Sequence, residues 1–343
     1  MLARMRLSRV RERQAIAAMA LGGLSWLVCA SAGWALWKGT ALRRHTLDIA
    51  TAAAAPPDHV LAHDRGGHVD HHVLLHGTDD DLLGNMRRAD VLLLGNSRLM
   101  FALRGDALGQ YFTSRGLRPF ALGFGHEEQH RFPLEVMRRH DLHPKVVIVN
   151  VDNFFGGVTS PWGERVLRDT AFDAWKVQFE AGASHVARRA LHRVVPHVPD
   201  LWASEREFVI YRSTRDGSWF IATDFGEGSR LAPFYRGRDT VRPHNLELAR
   251  ALKETVEEAG GRVIFVLVPG RDVSLTHAQM LADMVGVPLV APEVPDLRTM
   301  DASHLTDDSA ARYASVFFQH LDPVLDAVLA QQGRPRVEVA PEP

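Results

Sequence analysis

The chain has 343 residues, 46% of them hydrophobic, enough to bury a sizeable core as one large domain with appendages. A formal net charge of −1 removes any electrostatic case for nucleic acid. The single cysteine, Cys29, excludes an intramolecular disulfide and any cysteine-based metal cluster.

Residues 1–14 carry Arg4, Arg6, Arg9, Arg11 and Arg13 against one acid, Glu12. Residues 15–37 hold no charge, and Lys38, Arg43 and Arg44 follow them. At about 1.5 Å per residue this stretch crosses the ~30 Å hydrocarbon layer of a bilayer. Trp34 and Trp37 stand at its far end, where an interfacial aromatic belt belongs. The arginine excess on the near side predicts a cytoplasmic N-terminus and an exported domain after residue 38. A cleavable leader with Ala30-Ser31-Ala32 as its processing site competes, but the uncharged run and its tryptophans are long for one. Cys29 lacks the preceding small residue of a lipoprotein site. The expected topology is a single-pass anchor in the inner (cytoplasmic) membrane with a periplasmic, extracytoplasmic C-terminal domain.

Residues 38–85 read as a juxtamembrane connector. His59, His63, His68, His71, His72 and His76 crowd part of it, and clustered imidazoles can bind a transition metal. A polar stalk is the plainer reading, since no regular two-ligand pattern recurs.

An α/β series then occupies 86–330. Val91 to Leu94 predicts a strand covered on both faces. Gly95-Asn96 ends it, and Ser97 opens a helix packed through Leu99, Phe101 and Leu108. A strand near Pro119 to Phe124, a helix near Glu127 to Arg139 and a strand over Lys145 to Val151 follow. After residue 245 come a helix from Leu246 to Gly260, a strand from Arg262 to Val268 and a helix from Leu275 to Met284. A strand from Val287 to Val290 and a last helix from Asp307 to about Ala330 complete the series. Alternating strands and helices predict an α/β fold with a doubly wound, mostly parallel sheet and helices on both faces. The insert 154–244 breaks this rhythm with a helical region from Thr170 to Arg193 and a hairpin turning at Asp216-Gly217. It holds Trp162, Trp175, Trp202 and Trp219, read first as anchors docking a subdomain without its own core. Residues 331–343 are Pro-rich and expected to be disordered.

Two constellations carry chemistry. Ser97 falls at a strand-to-helix turn, on the sheet edge where open α/β folds place ligands, although a serine there also serves as a cap. Asp301-Ala-Ser-His304-Leu305 precedes the last helix. An Asp three residues before a His can accept from Nδ1–H and leave Nε2 free for a serine proton. The second constellation, His126-Glu127-Glu128-Gln129-His130, satisfies the His-Glu-x-x-His zinc pattern. Gly123-Phe124-Gly125 directly before it and Pro133 after it argue against a mid-helix register.

Taken together, these residues resemble the SGNH (GDSL-type) hydrolase superfamily. The matching blocks are Gly95-Asn96-Ser97-Arg98 and Asp301-Ala-Ser-His304-Leu305, over about 90–153 and 245–325. The resemblance implies Ser97 as nucleophile, His304 as base and Asp301 as its orienter. It further implies oxyanion donors at Gly123 or Gly125 and at Asn153. It departs where Asn96 replaces the usual Asp and where Asn150-Val-Asp152-Asn153 exchanges the Asn and Asp of the third block. Arg98 and His126 are secondary substrate-binding candidates. The nearest flavour is the membrane-anchored SGNH-like envelope proteins. The implied function is an esterase or O-acyl(acetyl)transferase acting on a cell-envelope glycan, with no cofactor and no resident metal. The alternatives are a non-catalytic envelope component that binds glycan or partners a membrane-bound acyltransferase, and a zinc hydrolase through His126 and His130.

Overall fold

The computed structural model describes residues 58–64, 67–125, 128–177, 179–180, 209–221, 228–237, 239–271 and 273–332. They belong to one unit that begins at Asp58. The expected anchor at 15–37 lies outside the described residues, as does the tail from residue 333. Among the described residues no helix is long and apolar enough to cross a membrane.

The unit opens with β1 (His59–Asp64), β2 (Gly67–His68), α1 (Val69–His76) and α2 (Asp80–Arg87). This corrects the expected connector, because the domain starts near residue 58 rather than 86. Val69, Val73, Leu74, Leu75, Leu82 and Met86 are all buried in the main core. The histidines mask this apolar pattern in the sequence, and His71 and His72 are themselves buried beside carboxylates.

Next come β3 (Val91–Asn96), α3 (Ser97–Ala102), α4 (Ala107–Ser114), β4 (Pro119–Phe124), α5 (Arg131–Arg139), β5 (Val146–Asn150) and α6 (Pro161–Arg168). The insert contributes β6 (Ile210–Ser213), β7 (Trp219–Ile221) and β8 (Ser229–Arg230). The series ends with α7 (Pro243–Glu258), β9 (Arg262–Val266), α8 (Leu275–Val285), β10 (Leu289–Val290), β11 (Arg298–Thr299) and α9 (Asp307–Gln332). The expected helix 127–139 begins only at Arg131. Of the helical stretch expected over 170–193, residues 171–177 and 179–180 are helical, and 181–193 lie outside the described residues.

Five strands form a parallel sheet in the order β10-β9-β5-β3-β4. Successive residues of each central strand serve opposite faces. Leu92, Leu94, Val147, Val149 and Phe265 join one core with α1, α2, α5, α7 and α8. Val91, Leu93, Ile148, Ile264 and Val266 join the other with α3, α4 and α9. This two-sided burial is why these strands read as continuous apolar runs rather than as alternating ones. The chain steps outward from β3 to β4, then returns past β3 to β5, so the winding direction reverses between β3 and β5. In open α/β sheets, ligand crevices lie beyond the carboxyl ends of the strands at such a reversal.

The expected hairpin forms β6 and β7, and it does not stand apart as a subdomain. β1 pairs with β6 in a second, antiparallel sheet, β2-β1-β6-β7. Trp219 is buried against Phe101 of α3, in line with its reading as a docking anchor. Trp202 lies outside the described residues.

Candidate active site

The site is assembled by two tight turns. Gly95, at the end of β3, lets the backbone pass where a Cβ would meet Leu99 Cδ2 at 2.9 Å and Asn150 Cβ at 3.1 Å. Asn96 caps α3, its side-chain oxygen accepting from the Arg98 N–H at 3.0 Å. Ser97 is therefore not the cap. It is the first helical residue, with its hydroxyl free of that duty.

The second turn is Asp301–His304. Asp301 Oδ1 accepts from the backbone N–H of Ser303 at 3.0 Å and of His304 at 2.8 Å. Ala302 between them takes the left-handed conformation, φ +67°, which costs a residue with a Cβ roughly 1 kcal/mol. The turn is locked in place because the Met300 N–H donates to His304 O at 2.9 Å and the Arg271 N–H to Ala302 O at 3.1 Å.

These turns bring three predicted residues together. His304 Nδ1 lies 2.6 Å from Asp301 Oδ2, and His304 Nε2 lies 2.8 Å from Ser97 Oγ. An ionised carboxylate only accepts, so Nδ1 carries the proton and Nε2 accepts from the Ser97 hydroxyl. Partial burial by itself raises the Asp301 pKa. The hydrogen bonds from the His304 ring and from the His304 and Ser303 amides outweigh it and hold the carboxyl below its usual value. The Phe101 ring packs against the imidazole with centroids 4.3 Å apart, which restricts rotation of the base.

Comparison with protein-family models, with curated proteins and with solved structures gives no match for this chain. The chemistry of the site is therefore read from its own atoms.

The two positions at which the sequence departs from the pattern it resembles touch one another. Asn96 Nδ2 donates to both oxygens of Asp152 at 3.0 Å. Asp152 also accepts from Arg98 Nη1 at 2.9 Å and from the Asn153 N–H at 2.6 Å, and its side chain is only 1% exposed. Arg98 Nε completes the clasp by donating to Ser303 Oγ at 2.9 Å. Arg98 thus ties the Ser97 turn to the His304 turn. Its expected role in binding substrate is narrowed to Nη2, for which no bond is found among the described residues. Nothing local in the sequence announces this clasp, since Asp152 and Ser303 lie 54 and 205 residues from Arg98.

The expected oxyanion donors separate. Gly123 lies inside β4, paired with Gly95. Met100 Sδ would sit 2.5 Å from a Cβ there, and the Gly123 carbonyl accepts from Arg212 Nη2 at 2.6 Å. Gly123 therefore serves packing and the ladder, whereas Gly125 follows the end of β4 on the side of the sheet edge. Asn153 is exposed at the mouth of a cavity of about 720 Å³ that Asp152 also lines.

The zinc pattern does not form one helical face. His130 precedes α5, its N–H donating to Phe154 O at 2.9 Å, while His126 and Glu127 lie outside the described residues. Among the described residues no group of three or more His, Cys, Asp or Glu could hold a metal ion, those of the histidine-rich stretch included.

A second polar constellation, missed from the sequence, is entirely buried. Arg212 Nη2 donates to Asp70 Oδ2 at 2.7 Å, and its Nη1 to the carbonyls of Ala121 at 2.8 Å and Gly217 at 3.0 Å. Asp70 Oδ1 lies 3.0 Å from His71 Nδ1, and His71 Nε2 faces Glu128 at 3.6 Å. Burial alone opposes charge on His71, but hydrogen bonding to Asp70 and Glu128, and their negative charges, outweigh it and raise its pKa. The two acids and two bases then balance.

Proposed function

We propose that the chain is a membrane-anchored, extracytoplasmic SGNH-like serine hydrolase or O-acyltransferase acting on a cell-envelope glycan. The observation that carries this reading is the hydrogen-bonded series Ser97 Oγ, His304 Nε2, His304 Nδ1, Asp301 Oδ2 at 2.8 and 2.6 Å. The strand order, equivalent to 2-1-3-4-5 within this sheet, agrees with a flavodoxin-like SGNH core. Membrane attachment and export rest on the uncharged run 15–37 and its flanking arginines.

In the proposed reaction Ser97 Oγ attacks the ester carbonyl as its proton passes to His304 Nε2, and Asp301 stabilises the imidazolium that forms. The tetrahedral intermediate collapses to acyl-Ser97, and the departing alcohol takes the proton from Nε2. Water or a sugar hydroxyl then attacks the acyl-enzyme by the reverse path. Water gives an esterase, and the sugar hydroxyl gives a transferase. In the third block Asp152 occupies the family's Asn position, and an ionised carboxylate cannot donate to an oxyanion. The donors in this reading are the N–H groups of Ser97 and Gly125 and the Nη2 of Arg98. That same exchange favours the second reading, a non-catalytic SGNH-like component that binds glycan or a membrane acyltransferase.

Mass spectrometry after a fluorophosphonate probe separates the two. A single adduct on Ser97 that disappears in His304→Ala supports acyl chemistry. Folded protein that takes no adduct supports the non-catalytic reading.

A further inference from the structure

We infer that the cavity beside Asp152 is a binding site for an uncharged, hydroxyl-rich segment of a glycan. Its volume of about 720 Å³ falls within the ~300–1,000 Å³ common for small-molecule sites. It borders the Ser97 site at Asp152, which lines the cavity while its buried carboxylate holds Asn96 and Arg98 on either side of Ser97.

Its walls come from the starts of α6, α7 and α8 and from the segment leading into α7. They present Asp239, Arg242, Asn245 and His277 around the loop that follows β5. Thr159 adds a buried hydroxyl without a hydrogen-bond partner among the described residues. The charges cancel. Asp152 is matched by Arg98, which leaves one carboxylate, Asp239, and one guanidinium, Arg242. Asp239 accepts from the Thr240 N–H at 2.8 Å and stands 4.0 Å from His277 Nδ1, so it is fixed in place while keeping acceptor capacity. Its hydrogen bond with Ser274 is the main reason its pKa lies below the usual value.

A lining that mixes donors and acceptors without net charge suits hydroxyls, which need both. An anion would meet Asp239, and a cation would meet Arg242. Val158, 62% exposed, supplies an apolar surface for the C–H face of a sugar ring. The ligand's place beside Ser97 rests on the acyl-chemistry reading, but binding itself requires no nucleophile.

The test applies the full chain carrying Ser97→Ala to a printed array of neutral and uronate-containing oligosaccharides. Binding to neutral oligosaccharides is expected, weakened at least tenfold by Asn245→Ala and by Asp239→Asn. The same two substitutions on a Ser97 background should leave fluorophosphonate labelling unchanged. No binding to any neutral oligosaccharide, binding confined to uronates, or binding indifferent to both substitutions overturns the inference. Array binding that responds to the substitutions in a protein whose Ser97 never labels supports the cavity and removes the acyl reading instead.

Discussion

The molecule contains two carboxylate–imidazole pairs built from the same side chains in different surroundings. Asp301–His304 lies at the carboxyl edge of the sheet, its free imidazole nitrogen on a serine hydroxyl and its carboxylate partly in solvent. Asp70–His71 is sealed in the core, its second nitrogen turned to Glu128 and its carboxylate to Arg212. Proximity of Asp and His therefore does not define chemistry. The first pair faces a hydroxyl group and stays partly exposed to solvent. The second is packed against Phe124 and Phe132 and faces the counter-charges of Arg212 and Glu128, whose desolvation is tolerable because each is matched.

The sharpest way to break this comparison is to show that the two pairs fail differently. Ser97→Ala or His304→Ala should lower turnover of an activated ester by ~10⁴-fold or more while the melting temperature stays within about 2 °C. Arg212→Met should do the reverse. It removes the guanidinium charge facing Asp70 and leaves the Ala121, Gly123 and Gly217 carbonyls short of a donor, so urea denaturation should report a loss of about 3–5 kcal/mol. Turnover per folded molecule should change only a few-fold. If Arg212→Met instead folds normally, the buried cluster is not the structural counterpart proposed here.

Smaller effects sharpen the contrast. Arg98→Met removes the clasp between the two turns and the Nη2 donor, and kcat for the same ester should fall by roughly 10–100-fold. The pH dependence of stability should trace to the buried pair. His71 has a folded pKa above its ordinary 6.5, so its stabilising contribution is complete below that value and fades as pH rises through the folded pKa. The stability difference between wild type and His71→Gln should shrink across that alkaline range, and a difference that widens there would contradict the assignment. The smallest effect is expected at Ala302. Glycine there relieves the left-handed strain but loosens the unfolded chain, so Ala302→Gly should shift stability by less than about 1 kcal/mol.

Much of this architecture is legible in the residues. β4 occupies the expected Pro119–Phe124, and β3 and β9 begin on their expected residues, because uninterrupted apolar runs of that length admit few alternatives. Ser97, Asp301 and His304 were legible because each stands beside a strand end or helix start where side chains converge. Three features resisted reading. The histidines of α1 looked like a polar stalk because nothing local announces that His71 will find Glu128 and that Asp70 will find Arg212, 142 residues away. Gly123 stands at a motif position, yet the ladder still holds it opposite Gly95 and Met100 fills the space a side chain would need. The exchange of Asn and Asp looked like two independent departures until Asn96 and Asp152 were seen to share hydrogen bonds.

Ser97 and His304 are 207 residues apart in sequence. The hydroxyl gains its base only when the last turn before α9 closes onto the first strand of the parallel sheet. A growing, truncated or partly opened chain thus carries an ordinary, inert serine. Under the proposed acyl chemistry, labelling of Ser97 doubles as a report on completion of the fold, and a serine probe could time the final docking of α9 during refolding without any label of its own.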